Sequence, residues 1–278
     1  MHNKIGMNLL LWGTEITEEL FPVLEEIKEV GFDGVEVPVF DTQASLWKSW
    51  RRKLDELGLD RIAVTINGPD FNQIDPDPSK RKATLDRNKK ALECAAELGS
   101  TLLTGPFHSA LGVFTGKGPQ EEELNWCAEN MYRLADHARS LGITLGLEYL
   151  NRFESYLVSS TNELIALADR VNHPNCQLMF DTFHANIEEK DIVSAIRKMG
   201  QRLVHVQLSE NDRSTLGKGH VDFKGILNAL DEIDYTGMLS IEAFSPKLTV
   251  ANIWRKMFES ESQLMKDSLS YLKKSLQP

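Results

Sequence analysis

Three carboxylates stand alone in apolar runs. Glu148 sits in Leu145-Gly-Leu-Glu148-Tyr-Leu, Asp181 in Leu178-Met-Phe-Asp181-Thr-Phe-His184, and Glu242 in Leu239-Ser-Ile-Glu242-Ala-Phe. A carboxylate in such a run is costly to bury, and one by itself is explained by a salt bridge or a strand-end hydrogen bond. Three at the ends of separate strand-like runs need a common cause. Converging carboxylates repel, and they stay ionised together when a cation sits between them. The pattern predicts a divalent metal centre. A fourth run, Val204-His205-Val-Gln207-Leu-Ser-Glu210-Asn-Asp-Arg213, lies between the second and the third. It carries His205 and Gln207 on one strand face. His205 there suits a packed core histidine as well as a site residue.

The elements that must position these residues alternate along the whole chain. The strand-like runs are Ile5–Leu11, Gly34–Phe40, Ile62–Asn67, Thr101–Phe107, Thr144–Leu150, Gln177–Phe183, Leu203–Leu208 and Met238–Phe244. They are short and apolar on both faces, as buried parallel strands are. Amphipathic stretches separate them. Glu18–Val30, Lys80–Leu98, Glu121–Leu141 and Asp191–Met199 each run into a glycine, which suits a helix end. Ser79 and Thr161 read as helix N-caps. Eight such strand–helix units close most naturally into a (β/α)₈ TIM barrel. A doubly wound open sheet would announce itself with a glycine-rich phosphate loop after the first strand, and Leu11-Trp12-Gly13-Thr14 is not one. No linker composition divides the chain, so residues 1–278 read as one domain, with a C-terminal helix over about 248–275.

In such barrels the active site lies at the C-terminal strand ends. Glu154 follows Glu148 by six residues, His184 follows Asp181 by three, and Arg213 follows Gln207 by six. All three fall in the loops leaving the strands and suit hydrogen bonds to substrate oxygens. A salt bridge or loop-closing role would also account for each alone. Trp12, at the end of the first strand, and Phe107 with His108, at the end of the fourth, are positioned to wall a ligand. Packing at the barrel top is the alternative. The glycine-containing loop His108–Gln120 is long enough to act as a lid. His2, His137, His173 and His220 read as surface histidines.

Composition narrows the function further. The charge of −10 argues against a nucleic-acid partner or an anionic membrane, since both need a basic face. No run approaches the ~20 apolar residues of a membrane span. Three cysteines without a CxxC pair fit a reducing cytoplasm and read as small buried hydrophobes.

The segments LEYLNRFESY, MFDTFHAN, HVQLSENDR, GKGHVDF and SIEAF, in that order, resemble the ketose 3-epimerases of the D-tagatose and D-psicose 3-epimerase kind, in the xylose-isomerase-like barrel superfamily. The resemblance runs through nearly the whole chain. It implies a metal held by Glu148, Asp181 and Glu242, with Glu154, His184 and Arg213 touching the sugar. The fourth position departs from the pattern: Gln207 stands where these epimerases carry a metal-binding histidine. Glutamine there is similar to the hydroxypyruvate isomerase branch. An all-oxygen set favours Mn²⁺ as cofactor, with Mg²⁺ or Co²⁺ next.

Epimerisation at C3 removes a proton beside a carbonyl and returns it to the opposite face. Glu148 and Glu242 are the expected catalytic bases, three strands apart around the ring. An aldose–ketose isomerase would use the same carboxylates and moves a proton between C1 and C2. Two other readings are weaker. A repair endonuclease would want a histidine-rich site and a basic face. A non-catalytic sugar-binding barrel would not need both glutamates. No phosphate-binding glycine loop stands near the seventh and eighth strands, so the partner expected is a free sugar. The apolar tail residues Trp254, Met257, Phe258, Leu264 and Leu269 point to a homodimer or homotetramer.

Overall fold

Strands that are apolar on both faces need cover on both sides, and a ring of strands wrapped in helices provides it. The computed structural model describes residues 3–277, and of Ala44 only the backbone. Among these residues the strands are β1 (Ile5–Asn8), β2 (Gly34–Pro38), β3 (Asp60–Val64), β4 (Leu102–Gly105), β5 (Thr144–Leu147), β6 (Cys176–Asp181), β7 (Leu203–Leu208) and β8 (Leu239–Ile241). They close into one parallel barrel in chain order. The ring shuts where Ile5 of β1 pairs with Leu239 of β8 and Met7 with Ile241. The helices are α1 (Phe21–Val30), α2 (Ala44–Leu57), α3 (Pro78–Leu98), α4 (Glu121–Ser140), α5 (Thr161–Val171), α6 (Thr182–Glu188), α7 (Ile192–Met199), α8 (Phe223–Glu232) and α9 (Glu261–Ser275). The (β/α)₈ architecture and the single domain are those the alternation predicts.

Several boundaries move, each for a local reason. The first strand stops at Asn8 instead of Leu11, because the Asn8 side chain accepts the Leu10 N–H at 2.9 Å and turns the chain into a 3₁₀ turn, Leu9–Trp12. The N-cap of α3 is Asp77, not Ser79: its carboxylate accepts the Ser79 N–H at 2.8 Å, and Pro78 follows at the first helical position. Ser160 caps α5 one residue ahead of Thr161. The C-terminal helix begins at Glu261, not near 248, capped by Ser260. The segment before it crosses the barrel mouth as turns, and Trp254 there is 84% exposed. Leu264 and Leu269 of α9 are buried in the core. Their apolar character is explained within one chain, so they no longer argue for a second subunit. His173 is buried too, edge-on to Tyr132. His2 lies outside the described residues.

Candidate metal centre and catalytic pocket

The barrel geometry brings the lone carboxylates to one level. Asp181 ends β6 and is the register partner of Gln207 on β7. Glu148 is one residue past β5, and its N–H reaches the Gly105 carbonyl at 3.2 Å. Gly105 has a φ of 122°, and a Cβ there would lie 2.2 Å from the Thr65 carbonyl oxygen, so β3 and β4 approach here only because the residue is glycine. Glu242 is one residue past β8, its N–H held by Leu208 at 2.9 Å. All four residues are at most 5% exposed.

Arg213 lies among them. Its Nη1 is 2.7 Å from Asp181 Oδ2, 3.2 Å from Ser209 Oγ, and bonds Glu242 Oε2 as well. Its guanidinium is sandwiched between the rings of Phe183, at 3.9 Å, and Phe244, at 4.5 Å. The backbone of Arg213 is left-handed, with φ of 60°, an unfavourable conformation for a long side chain that the surrounding loop imposes. Burial opposes its charge, but Asp181 and Glu242 together hold its pKa above the ordinary value.

His184 is not in a loop, as its position after a strand suggested, but in the first turn of α6. Asp181 caps that helix by accepting the Phe183 N–H at 2.8 Å. His184 Nδ1 accepts the backbone N–H of Asn151 at 3.1 Å. That assigns the proton of the neutral ring to Nε2. Nε2 lies 3.5 Å from Glu148 Oε1 and 3.4 Å from Asp181 Oδ2. Glu148, Asp181 and His184 thus bring a potential ligand atom each within 4.8 Å of one another. The N–H at Nε2 makes His184 a donor toward this cluster rather than a ligand. Asn151, which sequence reading passed over, also joins Glu154 to this ring: its side-chain nitrogen is 2.8 Å from Glu154 Oε1 and 2.9 Å from His184 Nδ1.

The electrostatics follow from burial. Glu148 is pushed well above the usual carboxyl pKa by desolvation first, then by Asp181 and Glu242. Glu242 is raised well above it too, by desolvation first, with Arg213 opposing and Asp181 adding to the rise. Burial pulls His184 down, against the attraction of Asp181. The neutral imidazole is the form the hydrogen bonds require.

The residues fit a divalent cation. Gln207 turns its nitrogen to Glu36, and its amide oxygen is buried without a partner among the described residues. An orphaned buried acceptor costs free energy that a cation would offset. Carboxylate and amide oxygens together are a hard donor set. Glu36 was missed in the sequence, although Gly34-Val-Glu36-Val-Pro38 carries the same signal of a lone carboxylate in an apolar run. His205 packs wholly buried with Nε2 3.2 Å from Glu36 Oε1.

Above the polar floor opens a cavity of about 390 Å³ lined by Glu148, Glu154, His184, Gln207, Arg213 and Glu242 and by an apolar wall. The wall comes from Leu10, Phe40, Ile66, Leu111, Phe244 and Leu248. Trp12 and His108, expected there, are not among the lining residues. The 3₁₀ turn presents Leu10 to the mouth and packs Trp12 against the core. His108 is wholly buried, with Nδ1 on Ser109 at 3.0 Å, and burial lowers its pKa to about 4. The loop after β4 reaches the cavity through Leu111, and the next N–H, of Gly112, donates to the Glu154 carbonyl at 2.9 Å.

A model of the xylose isomerase-like TIM barrel matches residues 24–275. The chain belongs to that family. Within it the chain groups with ketose 3-epimerases. This family member is 30% identical to the ketose 3-epimerase of Arthrobacter globiformis, over 98% of this chain and 96% of that one. It is 37% identical over 191 residues to the L-ribulose 3-epimerase of a Methylomonas species, 66% of each chain. The D-allulose 3-epimerase from Methylomonas, solved in complex with D-allulose, shares the fold with a TM-score of 0.91 and 28% identity, covering 98% of this chain and 97% of that one.

Proposed function

We propose that this protein interconverts free ketoses that differ at C3, with a divalent cation, Mn²⁺ first, held by Glu148, Asp181, Gln207 and Glu242. The observation that carries the reading is the pair of buried carboxyls Glu148 and Glu242. They follow β5 and β8, three strands apart around the closed ring, and both line the cavity. The names of the relatives support a ketose as substrate.

When bound, the cation acts as a Lewis acid toward a carbonyl oxygen and lowers the acidity barrier at the neighbouring carbon. The rest is work for side chains. One carboxylate takes the C3 proton as the C–H bond breaks, and the electron pair spreads onto the C2 oxygen. The other carboxyl, having taken a proton from solvent, delivers it to the opposite face of C3. In the reverse direction the two exchange roles. Arg213 Nη2 and His184 Nε2 are 3.1 Å apart. Both are donors, so a substrate oxygen in front of them accepts from both and relieves their mutual repulsion. Glu154, braced by Asn151, faces the cavity as an acceptor for a sugar hydroxyl. The apolar wall covers the remaining carbons and excludes water.

The test is a panel of free ketoses incubated with the purified protein and MnCl₂, products resolved by chromatography. C3 epimers are expected. Gln207 also favours a second reading, aldose–ketose isomerisation, for which the panel would return aldoses instead. No product from any ketose with metal bound would leave only a binding protein.

A further inference from the structure

Glu36, in the middle of β2, is wholly buried at the centre of the barrel. Its two carboxylate oxygens accept from Gln207 Nε2, each at 3.0 Å. They also accept from Asn8 Nδ2 at 3.0 Å, His205 Nε2 at 3.2 Å and Thr104 Oγ1 at 3.3 Å. A glutamine amide has a donor end and an acceptor end. A carboxylate selects the donor end, since a flipped amide would set two acceptors against each other. The Gln207 oxygen is thereby turned away from Glu36 and left without a partner among the described residues. Asn8 extends the same control: its nitrogen also donates to Glu242 Oε1 at 3.1 Å.

We infer that Glu36 is the positioning residue of the metal centre, holding the Gln207 amide oxygen-forward and, through Asn8, fixing Glu242. The inference rests on the reading of this site as a metal centre and assigns what that reading leaves open. Glutamine ligates through a hard oxygen only if its amide has one orientation, and Glu36 imposes that orientation. Buried partners of this kind tune metal ligands from outside the coordination sphere.

The experiment titrates metal-stripped protein with MnCl₂ in a calorimeter and follows the bound ion by its paramagnetic resonance. Wild type is measured first: if it binds no divalent cation, the metal reading itself fails, whatever Glu36 does. Glu36→Gln removes the orientational preference, because its amide accepts or donates equally well. It is expected to weaken Mn²⁺ binding about 10- to 100-fold and to change the resonance of the bound ion. Glu36→Asp keeps the charge but shortens the reach, is expected to weaken Mn²⁺ binding as well, and serves as the test if the glutamine variant fails to fold. The decisive variant is the exchange, Glu36→Gln with Gln207→Glu. It keeps the net charge and the hydrogen bond and again presents an oxygen to the metal, so it is expected to recover most of the affinity lost in Glu36→Gln. A folded Glu36→Gln or Glu36→Asp variant that binds Mn²⁺ as wild type does, or an exchange no tighter than the single substitution, would overturn the assignment.

Discussion

Asp181 and Gln207 are register partners on β6 and β7, so their side chains leave the barrel at the same level and on the same face. In the proposed metal centre, a carboxylate beside a neutral amide lowers the repulsion that a fourth carboxylate would bring, while keeping every proposed donor an oxygen.

The first prediction concerns the metal. An all-oxygen set suits Mn²⁺ and Mg²⁺ better than Zn²⁺ or Ni²⁺. Chelated protein should lose turnover and regain it on addition of Mn²⁺ or Mg²⁺. An exclusive response to Zn²⁺ or Ni²⁺ after reconstitution would contradict the ligand set.

The second concerns the two bases. Glu148→Gln and Glu242→Gln each leave one carboxyl and preserve an oxygen for the metal. Epimer formation should fall by at least about 10²- to 10⁴-fold in each, the usual worth of a positioned general base. Each variant should still exchange the C3 hydrogen with heavy water in one epimer only, and the epimer should differ between the two. Normal epimerisation in both variants would remove these residues from the mechanism. Deuterium entering at C1 would mark an isomerase.

The third concerns pH. Glu148 and Glu242 are raised well above the ordinary carboxyl value of 4.5, principally by burial. The metal-free fold therefore holds protons that the unfolded chain has already released. Their stabilising contribution is complete below the ordinary value and is lost as pH rises through the raised ones. A cation that replaces those protons binds more tightly at higher pH and releases protons as it does so. The gain in Tm on adding MnCl₂ should thus grow from about pH 5 to pH 8. A gain that is flat or shrinks over that range would show that the carboxyls are already ionised without metal.

The fourth concerns assembly. With Leu264 and Leu269 inside the core, the exposed apolar side chains of the segment before α9 are Trp254 and Val250, at 84% and 57% exposure. Aromatic side chains are enriched at protein–protein interfaces relative to the rest of the surface, and Trp254 is the most exposed of those here. Light scattering is expected to give a dimer or tetramer mass, and Trp254→Arg to shift the distribution toward monomer. A monomer at micromolar concentration would remove the expectation.

The amino-acid sequence by itself determined the barrel and singled out three of the carboxylates buried at its centre. Alternating apolar runs and amphipathic stretches admit few closed arrangements, and Glu148, Asp181 and Glu242 carry a desolvation cost that local sequence cannot relieve. Gln207 and Arg213 stood out through the resemblance of HVQLSENDR to the ketose 3-epimerases, since their spacing alone left other roles open. Which atom of Gln207 faces the cluster was not legible, because Glu36 lies 171 residues away in the chain and meets it only across the closed barrel. The same holds for Asn8, 234 residues from Glu242. Trp12 and His108 were misplaced because a single side-chain hydrogen bond at Asn8 ends β1 early, and because burial, not strand position, decides where His108 sits. Periodicity records which face of an element is apolar. Only closure of the ring decides which polar groups, far apart in the chain, must satisfy one another at its centre.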